Sequence, residues 1–236
     1  MKRVLPVFLV SMAMSMATAN AAVVVTTSEA ASFTVASDDL LQTAFGAHSG
    51  SPLDNRDGGS PADTTYLQSL TPSGEASLRD GVWFSNVDSR GSAITETGEF
   101  IEWTFDLASA PLGFEINQID LYSNWGTLGG RDEIRTEISF SYVGSPGTFV
   151  PGLTPAAYNP PTETQGKLSI TEDASGILAT GVAGIRFDFP DQENGAVGYS
   201  EIDVIGSPVA IPEPGSLAVL LVGGLGVAAR RRRRNA

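Results

Sequence analysis

The chain has 236 residues, with 27 acids against 14 Lys and Arg, a single His and no Cys. Without Cys there is no disulfide and no thiolate metal site, and one His leaves a His-based zinc site short of ligands. The formal net charge of −13 repels nucleic acid and anionic phosphate surfaces.

The N-terminus opens with Lys2 and Arg3, then the apolar stretch Val4–Met16, then small residues at Ala17, Ala19, Ala21 and Ala22. A positive start, a short apolar core and a small-x-small end make a secretory signal peptide, residues 1–21. Ala17-Thr18-Ala19 and Ala19-Asn20-Ala21 both fit the cleavage rule, with the cut after Ala21 favoured over Ala19. The expected partners at this step are the Sec translocon and a signal peptidase.

The body, residues 22–207, has the size of one domain and can bury about 70% of its unfolded surface. Arg56, Arg79, Arg90, Arg131, Arg135, Lys167 and Arg186 are its cations, and every acid except Glu213 lies within it. Seven positive charges against 26 negative ones leave the body at −19. So acidic a surface suits a soluble exported protein and attracts Ca²⁺.

An acidic, Gly-rich segment comes first. Asp54, Asn55 and Asp57 precede Gly58-Gly59, with Asp63 following. Hard oxygen ligands on a tight turn are what Ca²⁺ needs, so these four are candidate ligands of a structural calcium. The regular Asp-x-Asp-x-Asp-Gly ladder and its distal Glu are missing, and a solvated Asx loop explains the same residues.

Period-two alternation then marks strands. Ile101, Trp103, Phe105 and Leu107 alternate with Glu102, Thr104 and Asp106. Ile134, Thr136, Ile138, Phe140 and Tyr142 alternate with Arg135, Glu137, Ser139 and Ser141. Ile185, Phe187 and Phe189 alternate with Arg186 and Asp188, and Ile202 and Val204 with Glu201 and Asp203. Each run predicts one face for a core and one for water. Shorter strands are expected at Ser32–Ala36, Gly81–Ser85, Ile116–Tyr122 and Lys167–Thr171. No segment of the body carries a long helical period. Strands with Gly-, Pro-, Asn- and Asp-rich links predict an all-β, antiparallel jelly-roll β-sandwich. It would lie between the N-terminal signal-peptide helix and one C-terminal apolar helix.

Trp103 falls on the inward face of its strand and is expected in the core. Trp83 and Trp125 are expected nearer loops, where an indole can stack on a sugar. Trp125 with Asn124, and Arg131 beyond them, form a candidate glycan contact; partial burial against the sandwich end is the plainer role for Trp125. Arg131 and Arg135 have a plainer role in pairing with Asp132, Glu133 or Glu137. His48, in Gly46-Ala47-His48-Ser49-Gly50, has no catalytic partner that sequence identifies, and there is no Gly-x-Ser-x-Gly elbow. A glycoside hydrolase or lyase needs only two carboxylates, which 26 acids cannot localise.

The tail, residues 208–236, reads Pro212-Glu213-Pro214, an apolar run to Ala229 and Arg230 to Arg234. The two prolines hold an extended segment without N–H donors, which a processing enzyme can grip. Residues 215–229 make about 22 Å of helix, short against a bilayer core of about 30 Å. The arginines stay on the cytoplasmic side if that helix inserts.

This tail resembles the PEP-CTERM sorting signal. The resemblance rests on Pro212, Glu213 and Pro214, the helix with Gly223-Gly224, and the terminal Arg cluster. It implies cleavage near the motif by an exosortase-type membrane protease, followed by release to the surface, in bacteria that often make extracellular polysaccharide. Ala76–Gly206 is similar to the discoidin-like, galactose-binding-like β-sandwich superfamily. The carrying residues are Leu78-Arg79-Asp80-Gly81-Val82, Ile101–Leu107, Ile116–Tyr122, Gly130–Tyr142, Val182–Phe189 and Glu201–Val204. The usual Ser-x-Asp-Gly after the middle strand is replaced by Tyr142-Val143-Gly144. That likeness implies a jelly roll whose end loops often bind glycans.

The reading is an exported, non-enzymatic, structural or adhesive surface or matrix protein. It is held to the membrane by its C-terminal helix before processing and placed at the cell surface or outside afterwards. It needs no cofactor beyond a candidate structural calcium, its outer partner is extracellular polysaccharide, and nucleic acid is not a partner. A lectin-like carbohydrate-binding module is the first alternative and a hydrolase or lyase the second.

Overall fold

In a computed structural model, the structure describes residues 22–50, 77–83, 93–123, 130–161 and 164–211. The described elements are β1 (Val23–Ala30), α1 (Leu40–Thr43), β2 (Phe45–Gly50), β3 (Ala93–Glu96), β4 (Glu99–Phe105) and β5 (Phe114–Ser123). They continue with β6 (Glu137–Tyr142), β7 (Val150–Leu153), β8 (Gln165–Glu172), β9 (Ala179–Phe189) and β10 (Ala196–Pro208).

Every strand pairing is antiparallel, and the pairings form two arms. One runs β1-β8-β5-β10-β3. The other runs β2-β4-β9-β6-β7. They join where Phe114 meets Val182 and Ile116 meets Ala179.

The alternation in the sequence explains the core. In the second arm Trp103 lies opposite Ile185, which lies opposite Phe140, and Ile101, Phe187 and Ile138 form the next row. In the first arm Ile202, Leu121 and Leu168 form one row, and Val204, Ile119 and Ile170 the next. All twelve belong to one buried cluster. Trp103 is fully buried, as expected, and meets Phe187 edge-on at 5.7 Å between ring centroids. Each such side chain contributes about 1.5–3 kcal/mol by leaving water.

Several sequence expectations are corrected. Leu107 lies outside β4, because the Asp106 carboxylate accepts from Ala108 N at 2.9 Å and turns the chain there. Tyr142, expected inward, is 37% exposed. The register shifts there, leaving Ala183 of β9 unpaired between Gly184 and Val182, and Tyr142 is the last residue of β6. Ser32–Ala36 is not a strand, and neither is the described part of Gly81–Ser85, residues 81–83. Glu201 and Asp203, expected to face water, are 0% and 1% exposed.

α1 is a single turn. Asp39 caps it by accepting from Leu41 N at 2.7 Å, and Leu40 and Leu41 enter the core. Among the described residues, no helix is long and apolar enough to cross a membrane. The signal-peptide helix and the apolar helix 215–229 lie outside the described residues.

Candidate metal centre

β10 alternates strictly over Glu201–Val204, so Ile202 and Val204 enter the core while Glu201 and Asp203 point to the opposite face. Across the ladder Asp203 lies opposite Asp120, and Glu201 opposite Tyr122. On β8, Ser169 lies opposite Asp120 and Lys167 opposite Tyr122. Two segments cover this polar row. The chain from residue 31 to α1 crosses it, and residues 77–83 lie alongside. Phe33, Trp83 and Tyr122 close over it with ring centroids 5.2–5.9 Å apart. Trp83 is thus a half-buried cover residue on its loop, packed against Phe33 and Tyr122.

Backbone N–H groups of the covering chain bond to the carboxylates. Asp203 Oδ2 accepts from Ala36 N at 2.9 Å and from the Tyr122 hydroxyl at 3.0 Å. Glu201 Oε1 accepts from Gly81 N at 3.2 Å. Asp39 Oδ1 accepts from Leu41 N and, at 3.3 Å, from Val204 N. Gly81 is required here. Its φ is +70°, and a Cβ would lie 2.7 Å from Gln42 Nε2 and 3.2 Å from Ser37 Cα.

Each carboxylate keeps one oxygen without a hydrogen-bond partner: Asp39 Oδ2, Glu201 Oε2 and Asp203 Oδ1, all buried. The three residues each bring an oxygen within 4.8 Å of the other two. Asp120 differs, because Lys167 Nζ lies 2.8 Å away and Gln118 Nε2 donates to both its oxygens.

Burial dominates the electrostatics. It pushes Glu201 up to about 10, with Asp203, Asp80 and Asp39 adding repulsion. It raises Asp39 to about 7, aided by Asp203, and Asp203 to about 6. Asp80, which accepts from Val82 N at 2.9 Å, is also raised by burial. Tyr122 is pushed upward by burial and by the Asp203 and Asp120 charges, so it stays a neutral donor.

Three orphaned carboxylate oxygens on fixed backbone fit a hard divalent cation, which accepts 6–8 oxygens at about 2.3–2.6 Å. Gln42, whose Nε2 lies beside Gly81, also has its Oε1 buried without a partner. Bound Ca²⁺ would supply the charge that otherwise comes from protons.

Asp54, Asn55, Asp57 and Asp63 fall outside the described residues, as do Asn124, Trp125, Ala19, Ala21, Pro212, Glu213 and Pro214. Arg131 is described and half-buried, and its carbonyl accepts from Gly198 N at 3.2 Å. Arg135 pairs with Glu133 at 2.8 Å and with Asp191. Sequence reasoning missed the Asp39, Glu201 and Asp203 set. The available signal was that Asp120 and Asp203 share the outward register of strands with apolar inner faces, while Phe33 and Val35 lie in a segment with no ladder of its own.

Residues 210–234 match the PEP-CTERM protein-sorting motif. No curated protein matches the chain by sequence. The fold is similar to several solved structures. A pectin-binding carbohydrate-binding module aligns at 15% identity over 72% of this chain and 96% of its own, with TM-score 0.41. An F5/8 type C domain from Bacteroides fragilis aligns at 14% identity over 70% of this chain and 92% of its own, with TM-score 0.42. The lectin-binding domain of lectinolysin, complexed with Lewis b, aligns at 11% identity over 75% of this chain and 99% of its own, with TM-score 0.41.

Proposed function

We propose that the chain is the precursor of an exported, exosortase-processed protein of the cell surface or extracellular matrix. Its body is a jelly-roll β-sandwich with a structural or adhesive, non-enzymatic role, and a divalent cation locks the covering segments onto β10. The observation that carries export is the match of residues 210–234 to the sorting motif. The Sec translocon and signal peptidase act at one end, the exosortase-type protease at the other. Until that cut, the C-terminal helix holds the body to the membrane.

The test is an intact-mass measurement on protein from the native host. A mature chain starting at residue 20 or 22 and ending near Pro212–Gly215 is expected. A cytoplasmic protein with both ends intact overturns the reading.

The cation is supported by the buried, partnerless oxygens of Asp39, Glu201 and Asp203. Such a site converts net repulsion into a cross-link between Asp39 of the covering segment and Glu201 and Asp203 of β10. Calorimetric melting in Ca²⁺ and in chelator tests it, as argued in the Discussion.

A second reading, a lectin-like module, is favoured by one surface. On the outer face of β4 and β9, the Arg186 guanidinium lies 3.8 Å from the Phe100 ring centroid, between Glu102 and Asp188. A guanidinium fork between two carboxylates presents the donors and acceptors that pyranose hydroxyls engage. A glycan array decides: saturable, sugar-specific binding lost in Arg186→Ala or Trp125→Ala supports a lectin.

A further inference from the structure

We infer that the molecule holds a second divalent-cation site, bridged by Asp132 and Glu193 where residues 130–132 meet the turn at Glu193–Gly195. It is independent of the cluster on β10 and shares no residue with it.

Asp132 is 2% exposed, and its Oδ2 has no hydrogen-bond partner. Glu193 Oε2 is likewise buried and without a partner. The Glu193 carboxylate lies against Gly130, two residues before Asp132, and its charge acts on Asp132. Among the described residues, no ion pair joins either of them to a cation. Arg135, the nearby base, is engaged by Glu133 and Asp191.

Both carboxylates are fixed by backbone that has little room to move. Glu193 Oε1 accepts from Asn159 Nδ2 at 3.0 Å. Asn194 sits in the left-handed region at φ 48°, and its Nδ2 donates to Gly130 O at 2.7 Å. The side chain thereby ties the turn to the segment carrying Asp132. Gly130 lets Glu193 approach, since a Cβ there would lie 3.0 Å from Glu193 Oε1. Behind the turn, Gln192 is 4% exposed and anchored by Thr97 and by the Arg135 carbonyl. On the other side, Ile134 and Tyr158 exchange backbone hydrogen bonds at 2.8 and 3.0 Å.

Two repelling carboxylates held this way leave the buried oxygens Asp132 Oδ2 and Glu193 Oε2 without a donor. A buried carboxylate oxygen without a donor is costly unless a cation meets it. Ca²⁺ suits the pair because it accepts carboxylates, backbone carbonyls and waters in flexible geometry. Two carboxylates give low charge density, so the affinity expected is that of an extracellular module, about 10⁻⁴–10⁻³ M. The bound ion would staple three loops at the end of the molecule that carries Arg131.

The experiment counts ions. Full-length chain in detergent is stripped with chelator, then dialysed to equilibrium against CaCl₂ well above about 10⁻³ M, and bound calcium is measured by mass spectrometry. The two sites contribute two ions per chain, read as the difference between wild type and the variants. Asp132→Asn and Glu193→Gln should each remove one, and Asp39→Asn combined with Glu201→Gln should remove the other. Circular dichroism checks folding, and Glu193→Gln decides if Asp132→Asn does not fold. Wild-type ion counts in Glu193→Gln overturn this site, whatever the β10 cluster does. Loss in Glu193→Gln with full retention in the Asp39/Glu201 variant upholds this site and removes the other. No bound calcium overturns both.

Discussion

The two arms present the same sequence pattern on their outer faces and use it in opposite ways. On β4 and β9, Glu102 and Asp188 alternate with buried aromatics, remain partly exposed and pair with Arg186 at 3.5 and 2.5 Å. On β10 and β5, Glu201, Asp203 and Asp120 alternate with buried aliphatics just as regularly, yet all three are buried. The difference is a cover. The chain from residue 31 to α1 crosses one face and leaves the other open. An acid that costs nothing in water becomes, under that cover, a group needing a donor, a proton or a cation. The first arm therefore concentrates the chemistry, and the second offers a surface.

The comparison breaks most clearly with chelator. Near neutral pH, Ca²⁺ at a hundredfold excess over its dissociation constant stabilises the folded state by about 2.7 kcal/mol. For a domain of this size that is about 5–10 °C in melting temperature. We expect EGTA to lower the calorimetric melting temperature by that amount. Asp39→Asn with Glu201→Gln should lose most of the response, and Arg186→Ala should keep it. A chelator-insensitive wild type ends the idea of a locked cover.

Acid sharpens the contrast next. Asp203, Asp39 and Glu201 have folded values of about 6, 7 and 10, all above their ordinary ones. A carboxyl with a raised folded value destabilises the fold progressively as pH rises from its unfolded value to its folded one, and in full above that. The penalty fades as pH falls towards the unfolded value, where the folded state holds the extra proton. In chelator, melting temperature should therefore rise as pH is lowered from 8 to 5. In saturating Ca²⁺ the trend should reverse, because protons now displace the ion. Identical profiles in both buffers would contradict a cation at the cluster.

The open face gives a smaller effect. Arg186→Ala removes exposed ion pairs worth at most about 1 kcal/mol and a cation–π contact of about 0.5–1 kcal/mol. A drop of about 2–4 °C in melting temperature is expected, reduced in high salt and independent of Ca²⁺. A drop as large as that from chelation would show that Arg186 supports more than its own surface.

What the sequence shows and hides follows the same division. β4, β9 and the centres of β5 and β8 were legible because each has neighbours on both sides and must keep a strict period. The strands missed outright, β1, β2, β3 and β7, each pair with one neighbour. An edge strand tolerates the Gly and Ser of β2 and the Pro-Gly of β7, and the uninterrupted Val23–Val25 of β1 has no alternation to read. The core was therefore readable and the edges were not. The carboxylate cluster was only half legible, for another reason. Alternation says which residues leave the core but not whether another segment then covers them. Phe33 packing on Tyr122 is a contact between distant parts of the chain that no local period encodes.

The smallest effect isolates the rule beneath the comparison: the number of donors, not the number of acids, sets the sign. Glu172 ends β8 on a turn and accepts from Ala174 N at 2.7 Å, Ser175 N and Ser175 Oγ at 2.6 Å, and Gly176 N at 2.9 Å. Those donors, the Ser175 hydroxyl foremost, lower its carboxyl from 4.5 to about 2. A lowered folded value contributes stability that is complete above 4.5 and lost as pH falls towards 2, the opposite sign to Glu201. Amide exchange should show Ala174, Ser175 and Gly176 losing protection across that interval, while the backbone of β10 does not respond there. Glu172→Gln should abolish the pH dependence of those three amides. If it persists in the variant, the donors around Glu172 do not govern the turn, and counting donors fails at its simplest site.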